Sequence, residues 1–170
     1  FQTGDLDERL AEAFGSRGIA LHHLNLEVTE SVLMETHIVR PIDNLRRRGV
    51  TVALDDFGTG YSSLNYLRAF PFDKIKIDRS FVTELLTLPD ANAIVRMISD
   101  LAITLGKRTV CEGVETAERP EAIRAAGCHE VQGYLISRPV ALEDFPTALP
   151  EWPDISSPGP TPSQAENSAS

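Results

Sequence analysis

The stretch VTVALDD at residues 50–56 is a short apolar run that ends in two adjacent carboxylates. Residues 50–54 have the length and the Val and Leu content of a buried strand, so Asp55 and Asp56 fall at its end. Four further runs have a similar length and character: residues 24–28, 74–77, 108–111 and 130–136. We therefore predict five β-strands.

The segments between these runs have the periodicity of amphipathic helices, which we predict at residues 6–15, 31–48, 90–105 and 118–126. Strands that alternate with helices imply βαβ units and a parallel sheet. Two architectures fit this order. One is an open doubly wound sheet, and the other is part of an eight-stranded barrel of roughly 250 residues.

Almost every predicted strand carries or ends in an ionisable or amide side chain. The set comprises Glu27, Glu30, Asp55, Asp56, Lys76, Asp78, Glu112, Glu115 and Gln132. If the strands are parallel, these groups collect at one end of the sheet, which is the catalytic face in barrel enzymes. An open sheet binds its ligand at one switch point and needs no reactive group on every strand. The placement of the polar residues therefore favours the barrel.

Four carboxylates of this set, those of Glu27, Asp55, Asp56 and Glu112, would repel one another in a low-dielectric cleft. A bound cation removes that repulsion, and a ligand set made only of oxygens is typical of Mg²⁺ or Mn²⁺. Two such ions, about 3.5–4 Å apart, are a recurring solution for attack on a phosphodiester. Lys76 would then stabilise phosphate charge or orient the attacking water. A Schiff-base enzyme built on Lys76 is the alternative that these residues leave open.

The composition excludes several functional classes. With 42% hydrophobic and 24% charged residues, the chain can form a packed core. The 16 basic and 25 acidic residues give a net charge of −9, which argues against binding to DNA or RNA. No stretch of 18 apolar residues occurs. The two cysteines, Cys111 and Cys128, form no CxxC motif, so we expect a reduced, cytoplasmic chain without a disulfide framework.

The two ends of the chain differ from the rest. Residues 150–170 contain five of the eleven prolines together with five serines. Such a segment cannot bury enough apolar surface to offset its ordering entropy, so we predict a disordered tail. The chain begins with Phe1 rather than with Met and shows no signal peptide, so we expect that further residues precede it.

Five segments of the chain resemble the EAL domain, the bacterial cyclic-di-GMP phosphodiesterase family. They are LNLEVTES at 24–31, VALDDFGTGYSSL at 52–64, FDKIKIDRSFV at 72–82, TVCEGVE at 109–115 and QGYLISRPV at 132–140. The segments follow the family order, and the resemblance covers residues 1–149 as the C-terminal part of the domain. It implies an α/β fold, a modified (β/α)₈ TIM barrel of which this chain holds about five βα units. It also implies hydrolysis of cyclic-di-GMP to linear pGpG with two Mg²⁺ or Mn²⁺ ions.

The resemblance implies catalytic roles for the residues in these motifs. Glu27, Asp55, Asp56 and Glu112 resemble the metal ligands of the family, with Asp55 in the position of the carboxylate that both ions share. Lys76 resembles the lysine that holds the hydrolytic water. Glu112 resembles the essential glutamate near the second ion. The expected catalytic residues are therefore Lys76, Glu112 and Asp55.

Four other residues have expected supporting roles by the same resemblance. Gln132 and Asp78 are expected to bind the substrate. Glu30 and Glu115 resemble residues that lie behind the ligands. Glu30 is similar to the glutamate that anchors the DDFGTGYSSL loop, which in the family links metal binding to dimerisation.

The family's Glu-Ala-Leu signature and the strand with its asparagine ligand do not occur in this sequence. We therefore expect the chain to be a fragment that lacks three of the eight strands and is inactive alone, whereas the parent protein is active. The resemblance implies a homodimer through the DDFGTGYSSL loop and upstream GGDEF or sensor domains. It implies a cytoplasmic location, or the cytoplasmic face of the membrane if a membrane sensor lies upstream. The alternative is an inactive EAL domain that acts as a cyclic-di-GMP receptor or a protein-interaction module.

Overall fold

The computed structural model describes residues 6–58, 64–117 and 119–145 of the chain. These residues form five strands: β1 (Asn25–Thr29), β2 (Thr51–Phe57), β3 (Lys74–Ile77), β4 (Arg108–Cys111) and β5 (Glu130–Val131). The helices are α1 (Leu6–Gly15), α2 (Val39–Arg47), α3 (Leu64–Ala69), α4 (Arg79–Glu84), α5 (Pro89–Thr104) and α6 (Arg119–Ala125). The bounds of α1, β3 and β4 are those that the sequence predicted.

All five strands are parallel, and their order in the sheet is their order in the sequence. A doubly wound sheet reverses its strand order at the switch point, and no reversal occurs among the described strands. Continuous winding in one direction is the arrangement of a (β/α) barrel. The topology therefore confirms the barrel, which the placement of the polar residues favoured.

The two faces of the sheet differ in chemistry. On one face, Val28, Leu54, Ile75 and Cys111 belong to the main hydrophobic core. Helix residues complete that core: Ile42, Leu67, Val82, Val95, Ile98 and Ile123. Because side chains alternate along a strand, the neighbouring positions Glu27, Asp55 and Lys76 fall on the opposite face. The core thus fixes the strand register, and the register brings the polar groups together.

The prediction of one continuous helix over residues 31–48 is wrong. Residues Glu30–Met34 and Thr36–Ile38 form 3₁₀ turns, and only Val39–Arg47 is α-helical. Pro41 explains the break. An α-helix that continued from residue 31 would need the Pro41 nitrogen to donate to the His37 carbonyl, and proline has no N–H group. In α2 the proline lies in the first turn, where the nitrogen needs no partner.

The last predicted strand, residues 130–136, is also shorter than expected. The ladder of β5 ends at Val131, and a turn follows in which Ile136 N donates to the Gly133 carbonyl at 3.0 Å. The short helices α3 and α4 were not predicted, because six residues give too few turns for a clear helical period. The predicted tail at 150–170 lies outside the described residues. Among the described residues, no helix combines the length and the apolar character that a membrane span requires.

Candidate functional site

The side chain of Lys76 is the centre of the polar face. Its Nζ lies 2.8 Å from Glu27 Oε2, 2.8 Å from Asp55 Oδ1 and 2.7 Å from Glu112 Oε1. Glu27 comes from β1, Asp55 from β2 and Lys76 from β3, and Glu112 follows the last residue of β4. Four consecutive strands thus direct one charged group each to a single point.

Lys76 is almost fully buried, with 6% of its side chain exposed. Burial alone lowers the pKa of Lys76, but the contacts with Asp55, Glu112 and Glu27 outweigh it and raise the pKa above its ordinary value. The side chain is therefore held as an ammonium ion. A Schiff-base lysine needs a neutral amine, so this environment argues against the aldolase-like alternative.

A β-bulge explains how Asp55 and Asp56 can serve one site although they are adjacent. In the ladder between β2 and β3, Leu54 pairs with Ile75 and Phe57 pairs with Ile77. Asp55 and Asp56 are therefore two residues opposite the single residue between those partners. Asp56 has a φ of +52°, which is a left-handed conformation that a non-glycine residue rarely adopts. The bulge cancels the strand alternation that would place the two carboxylates on opposite faces.

The bulge forms an acidic cluster with the end of β4. Asp55, Asp56 and Glu112 each contribute one carboxylate oxygen, and these three oxygens all lie within 4.8 Å of one another. Asp55 Oδ1 is buried, and its partner among the described residues is the ammonium of Lys76 at 2.8 Å. Hard oxygen donors with lone pairs still available are the ligands that Mg²⁺ and Mn²⁺ prefer. The residues present therefore fit a divalent cation.

Glu30 lies beneath the segment that follows the bulge. Its side chain is buried, and Oε2 accepts a hydrogen bond from the Gly58 backbone nitrogen at 3.2 Å. Gly58 has a φ of +98°, so a side chain at this position would strain the backbone. Glu30 therefore connects the start of the 3₁₀ turn Glu30–Met34 to the residue that follows β2. Residues 59–63 of the DDFGTGYSSL loop lie outside the described residues.

Gln132 is held beside Glu112 by its backbone. Its nitrogen donates to the Cys111 carbonyl at 2.9 Å, and its carbonyl accepts from the Val114 nitrogen at 3.1 Å. At the next residue, Gly133, an added Cβ would overlap the backbone of Val114. The absence of a side chain at Gly133 thus allows the two segments to approach closely, and this places the Gln132 side chain at the edge of the site.

The remaining predicted residues, Glu115 and Asp78, are not among the ion-pair partners of Lys76 in the described residues. Glu115 lines a cavity of about 200 Å³ together with Glu112 and Gln132. Asp78 is the N-cap of α4, and its Oδ1 accepts hydrogen bonds from the nitrogen and the hydroxyl of Ser80. The hydrogen bond from the Ser80 hydroxyl holds the pKa of Asp78 below its ordinary value. In the structure, Asp78 therefore contacts the start of a helix.

Two residues near the site were not singled out from the sequence. Asn25 donates from Nδ2 to Glu27 Oε1 at 3.4 Å and so contacts a predicted ligand. Arg79 lines the same cavity as Glu112, Glu115 and Gln132. The search for ionisable or amide side chains on a strand or just after its end could have found both. Asn25 precedes Glu27 by two residues on β1, and Arg79 follows the end of β3.

Comparison with protein families decides the classification. The EAL domain family matches residues 1–139 of the chain. The chain belongs to the EAL domain family. Its α/β fold with five parallel strands corresponds to part of the EAL domain barrel, which confirms the fold prediction.

Three relatives illustrate the similarity of this EAL domain. The chain is 41% identical over 146 residues to the Cyclic di-GMP phosphodiesterase PA2567 of Pseudomonas aeruginosa, covering 85% of the chain and 24% of that protein. PaMucR phosphodiesterase, solved as a c-di-GMP complex, is 40% identical with a TM-score of 0.75, covering 82% of the chain and 57% of PaMucR. BlrP1 of Klebsiella pneumoniae, solved as a manganese/cy-diGMP complex at pH 9.0, is 34% identical with a TM-score of 0.71, covering 78% of the chain and 34% of BlrP1.

The match to these relatives is partial in length. In three further curated relatives, of Sinorhizobium fredii, Caulobacter vibrioides and Escherichia coli, the chain matches 18–19% of the length of the relative. The comparison therefore establishes the family and the fold of the shared part.

Proposed function

We propose that this chain provides part of the active site of a phosphodiesterase that hydrolyses cyclic-di-GMP to linear pGpG. The observation that carries the proposal is the contact of Lys76 Nζ with Glu27, Asp55 and Glu112 at 2.7–2.8 Å. A structural ion pair needs one carboxylate, whereas three around one ammonium leave negative charge to be neutralised by another cation. Relatives described as cyclic-di-GMP phosphodiesterases support the substrate.

Two divalent cations, Mg²⁺ or Mn²⁺, are proposed cofactors. Glu27, Asp55, Asp56 and Glu112 would hold them, with Asp55 shared between the two. The buried Oδ1 of Asp55 and the acidic cluster around it support this assignment. When bound, such ions supply positive charge at the reacting phosphate and lower the pKa of a bound water. The manganese complex of the Klebsiella relative is consistent with the choice of metal.

The chain's own residues would orient the reactants. Lys76 Nζ contacts three carboxylates, so the attacking water or a phosphate oxygen would accept a hydrogen bond from the ammonium in place of one of them. Gln132 and Asp78 are proposed to bind the substrate. Glu30 would hold the segment after the bulge through the Gly58 nitrogen, and Glu115 would support the edge beside Glu112.

Domain organisation and assembly are also proposals. We assign residues 1–149 to the EAL domain and residues 150–170 to a disordered tail. From the resemblance to the family, we propose a homodimer through the DDFGTGYSSL loop and GGDEF or sensor domains in the same protein. We further propose that the domain works on the cytoplasmic side of the membrane or in the cytoplasm.

The test is hydrolysis by the full-length gene product. Cyclic-di-GMP is incubated with Mg²⁺, Mn²⁺ or Ca²⁺, and the products are separated by chromatography. Linear pGpG should form with Mg²⁺ and Mn²⁺. Ca²⁺ should inhibit, because its longer bonds and irregular geometry hold the ligands too far out for the reaction. Tight binding of cyclic-di-GMP without any hydrolysis would instead indicate the receptor alternative, and neither binding nor hydrolysis would refute the proposal.

A further inference from the structure

The cavity beside the carboxylate cluster contains a charge that the proposed mechanism does not use. The cavity is lined by Arg79, Glu112, Gly113, Glu115, Gln132, Gly133 and Tyr134. Arg79 is the single cation among these lining residues. It lies in a cavity that otherwise presents two carboxylates, an amide and a phenol, and Glu112 is shared with the cluster around Lys76.

The backbone of Gly113 allows Arg79 to lie against the segment after β4. A Cβ added to Gly113 would lie 2.6 Å from Arg79 Cβ, which is closer than real side chains approach. Gly113 also has a φ of +67°, which favours glycine on its own account. Because Gly113 has no side chain, Arg79 can lie close to the backbone immediately after Glu112.

The Arg79 side chain is exposed, and it forms no ion pair within 4 Å in residues 6–58, 64–117 and 119–145. Arg119, the first residue of α6, does form hydrogen bonds with the fold. Its guanidinium donates to the Gly113 carbonyl at 3.4 Å and to the Thr83 carbonyl at 3.5 Å. Arg119 thus contacts the backbone of the fold, whereas the Arg79 side chain donates no hydrogen bond to the part of the chain that the structure describes.

The charge of the proposed substrate indicates what this ligand is. Cyclic-di-GMP carries two phosphodiester groups, and the proposed reaction places one of them at the carboxylate cluster with its cations. The other phosphate is a second negative charge, and the cavity next to the cluster, which Glu112 and Glu115 line, would be unfavourable for it without a cation. An arginine binds such a group with a planar, bidentate pair of donors and without a metal ion.

We propose that Arg79 binds the phosphate of cyclic-di-GMP that is not being cleaved, and so sets substrate affinity rather than the rate of the chemical step. This inference rests on the proposed function, because it assumes that substrate. It adds a substrate-binding residue to the site, one that lies in the FDKIKIDRSFV segment at 72–82 but was assigned no role from the sequence.

The test compares Arg79→Ala, Arg79→Lys and Arg79→Gln in the full-length protein, with Arg40→Ala on the exposed side of α2 as the matched control. Steady-state hydrolysis is measured with Mn²⁺. The Kd of cyclic-di-GMP is measured in Ca²⁺, under which a relative has been captured as a cy-diGMP complex. For Arg79→Ala we expect KM and Kd to rise about tenfold, the scale of one charge-assisted contact, with kcat within about twofold of the original. Arg40→Ala should change none of these values.

The two further variants separate charge from simple hydrogen bonding. Arg79→Lys should recover part of the lost affinity, since a lysine also binds phosphate as a point charge, and Arg79→Gln should recover none. The KM of the original protein should also rise with salt more steeply than that of Arg79→Ala. Recovery by Gln but not by Lys, or an unchanged KM and Kd in Arg79→Ala, would overturn the inference. If the original protein neither binds nor hydrolyses cyclic-di-GMP, the proposed function fails instead.

Discussion

Replacing Lys76 with methionine removes one ammonium ion and keeps an unbranched side chain of similar length. Three carboxylates then lose the positive charge that they share, those of Glu27, Asp55 and Glu112. Lys74 provides a matched control on the same strand and the same face. Its Nζ contacts Glu130 Oε2 at 2.7 Å, and Glu130 keeps a second partner in Arg108 at 2.9 Å when Lys74 is replaced.

The expected magnitudes follow from burial. Removing one partner of a buried ion pair costs about 3–5 kcal/mol, because a charge is left uncompensated. The carboxylates around Lys76 keep 20–41% of their side chains exposed, so solvent screens part of the repulsion. We therefore expect Lys76→Met to lower the free energy of local unfolding by about 3 kcal/mol. Lys74 and Glu130 are 27% and 32% exposed, and such a pair contributes about 1 kcal/mol or less.

Amide hydrogen exchange of β2–β4 in the metal-free protein is a suitable assay, since it reports local opening directly. A loss of about 3 kcal/mol corresponds to exchange about two orders of magnitude faster in Lys76→Met. Lys74→Met should accelerate exchange about fivefold or less. Adding Mn²⁺ should slow exchange more in Lys76→Met than in the original protein, because the carboxylates have no competing ammonium. Equal acceleration in both variants, or no recovery with Mn²⁺, would refute the assignment of Lys76 as the shared counter-ion.

Three further predictions concern catalysis, packing and pH. Asp55→Asn should reduce turnover by more than about 100-fold while the melting transition is retained, since the change removes one charge at constant volume; a lost transition would mean that Asp55 is structural. Gly133→Ala should lower the free energy of unfolding by about 1–3 kcal/mol in chemical denaturation, because its Cβ would overlap the Val114 backbone. Burial, followed by the Arg108 charge, lowers the pKa of His129, whose Nδ1 accepts from the Thr109 nitrogen at 3.2 Å. The unfolded chain therefore takes up the proton first, near pH 6.5, and the contribution of His129 to stability should be present above that pH and lost as the pH falls through the lower folded-state pKa. Between pH 8 and 5, the free energy of unfolding obtained from denaturation curves should fall less in His129→Asn than in the original protein. An equal fall in both proteins would contradict the role of the imidazole.

The meeting of the polar groups could be predicted because it depends on strand register. Apolar residues on one face fix that register, and parallel strands then bring their carboxyl ends to one edge. The sequence marked Glu27, Asp55, Lys76 and Glu112 in this way, and all four lie together in the structure. The alternation of strands with helices predicted the parallel sheet, and the polar residues at the strand ends favoured the barrel over a doubly wound sheet; the observed strand order agrees with both.

The local backbone of the site could not be predicted from periodicity. Strand alternation places Asp56 on the face opposite Asp55, and only the bulge with its left-handed residue returns it to the cluster. The place of Arg79 depends on a close contact with Gly113, a residue 34 positions away in the sequence. The break before α2 did have a signal, Pro41, but the apolar spacing of residues 31–48 outweighed it in the prediction.

The most direct test of the central proposal is to follow the reaction in ¹⁸O-labelled water. The full-length protein is incubated with cyclic-di-GMP and Mn²⁺, and the product is analysed by chromatography and mass spectrometry. Attack by a water molecule oriented at Lys76 predicts one product, linear pGpG, with a single solvent oxygen in its terminal phosphate. Asp55→Asn should form this product at least about 100 times more slowly. Unchanged cyclic-di-GMP, or a linear product without solvent oxygen, would contradict hydrolysis at this site.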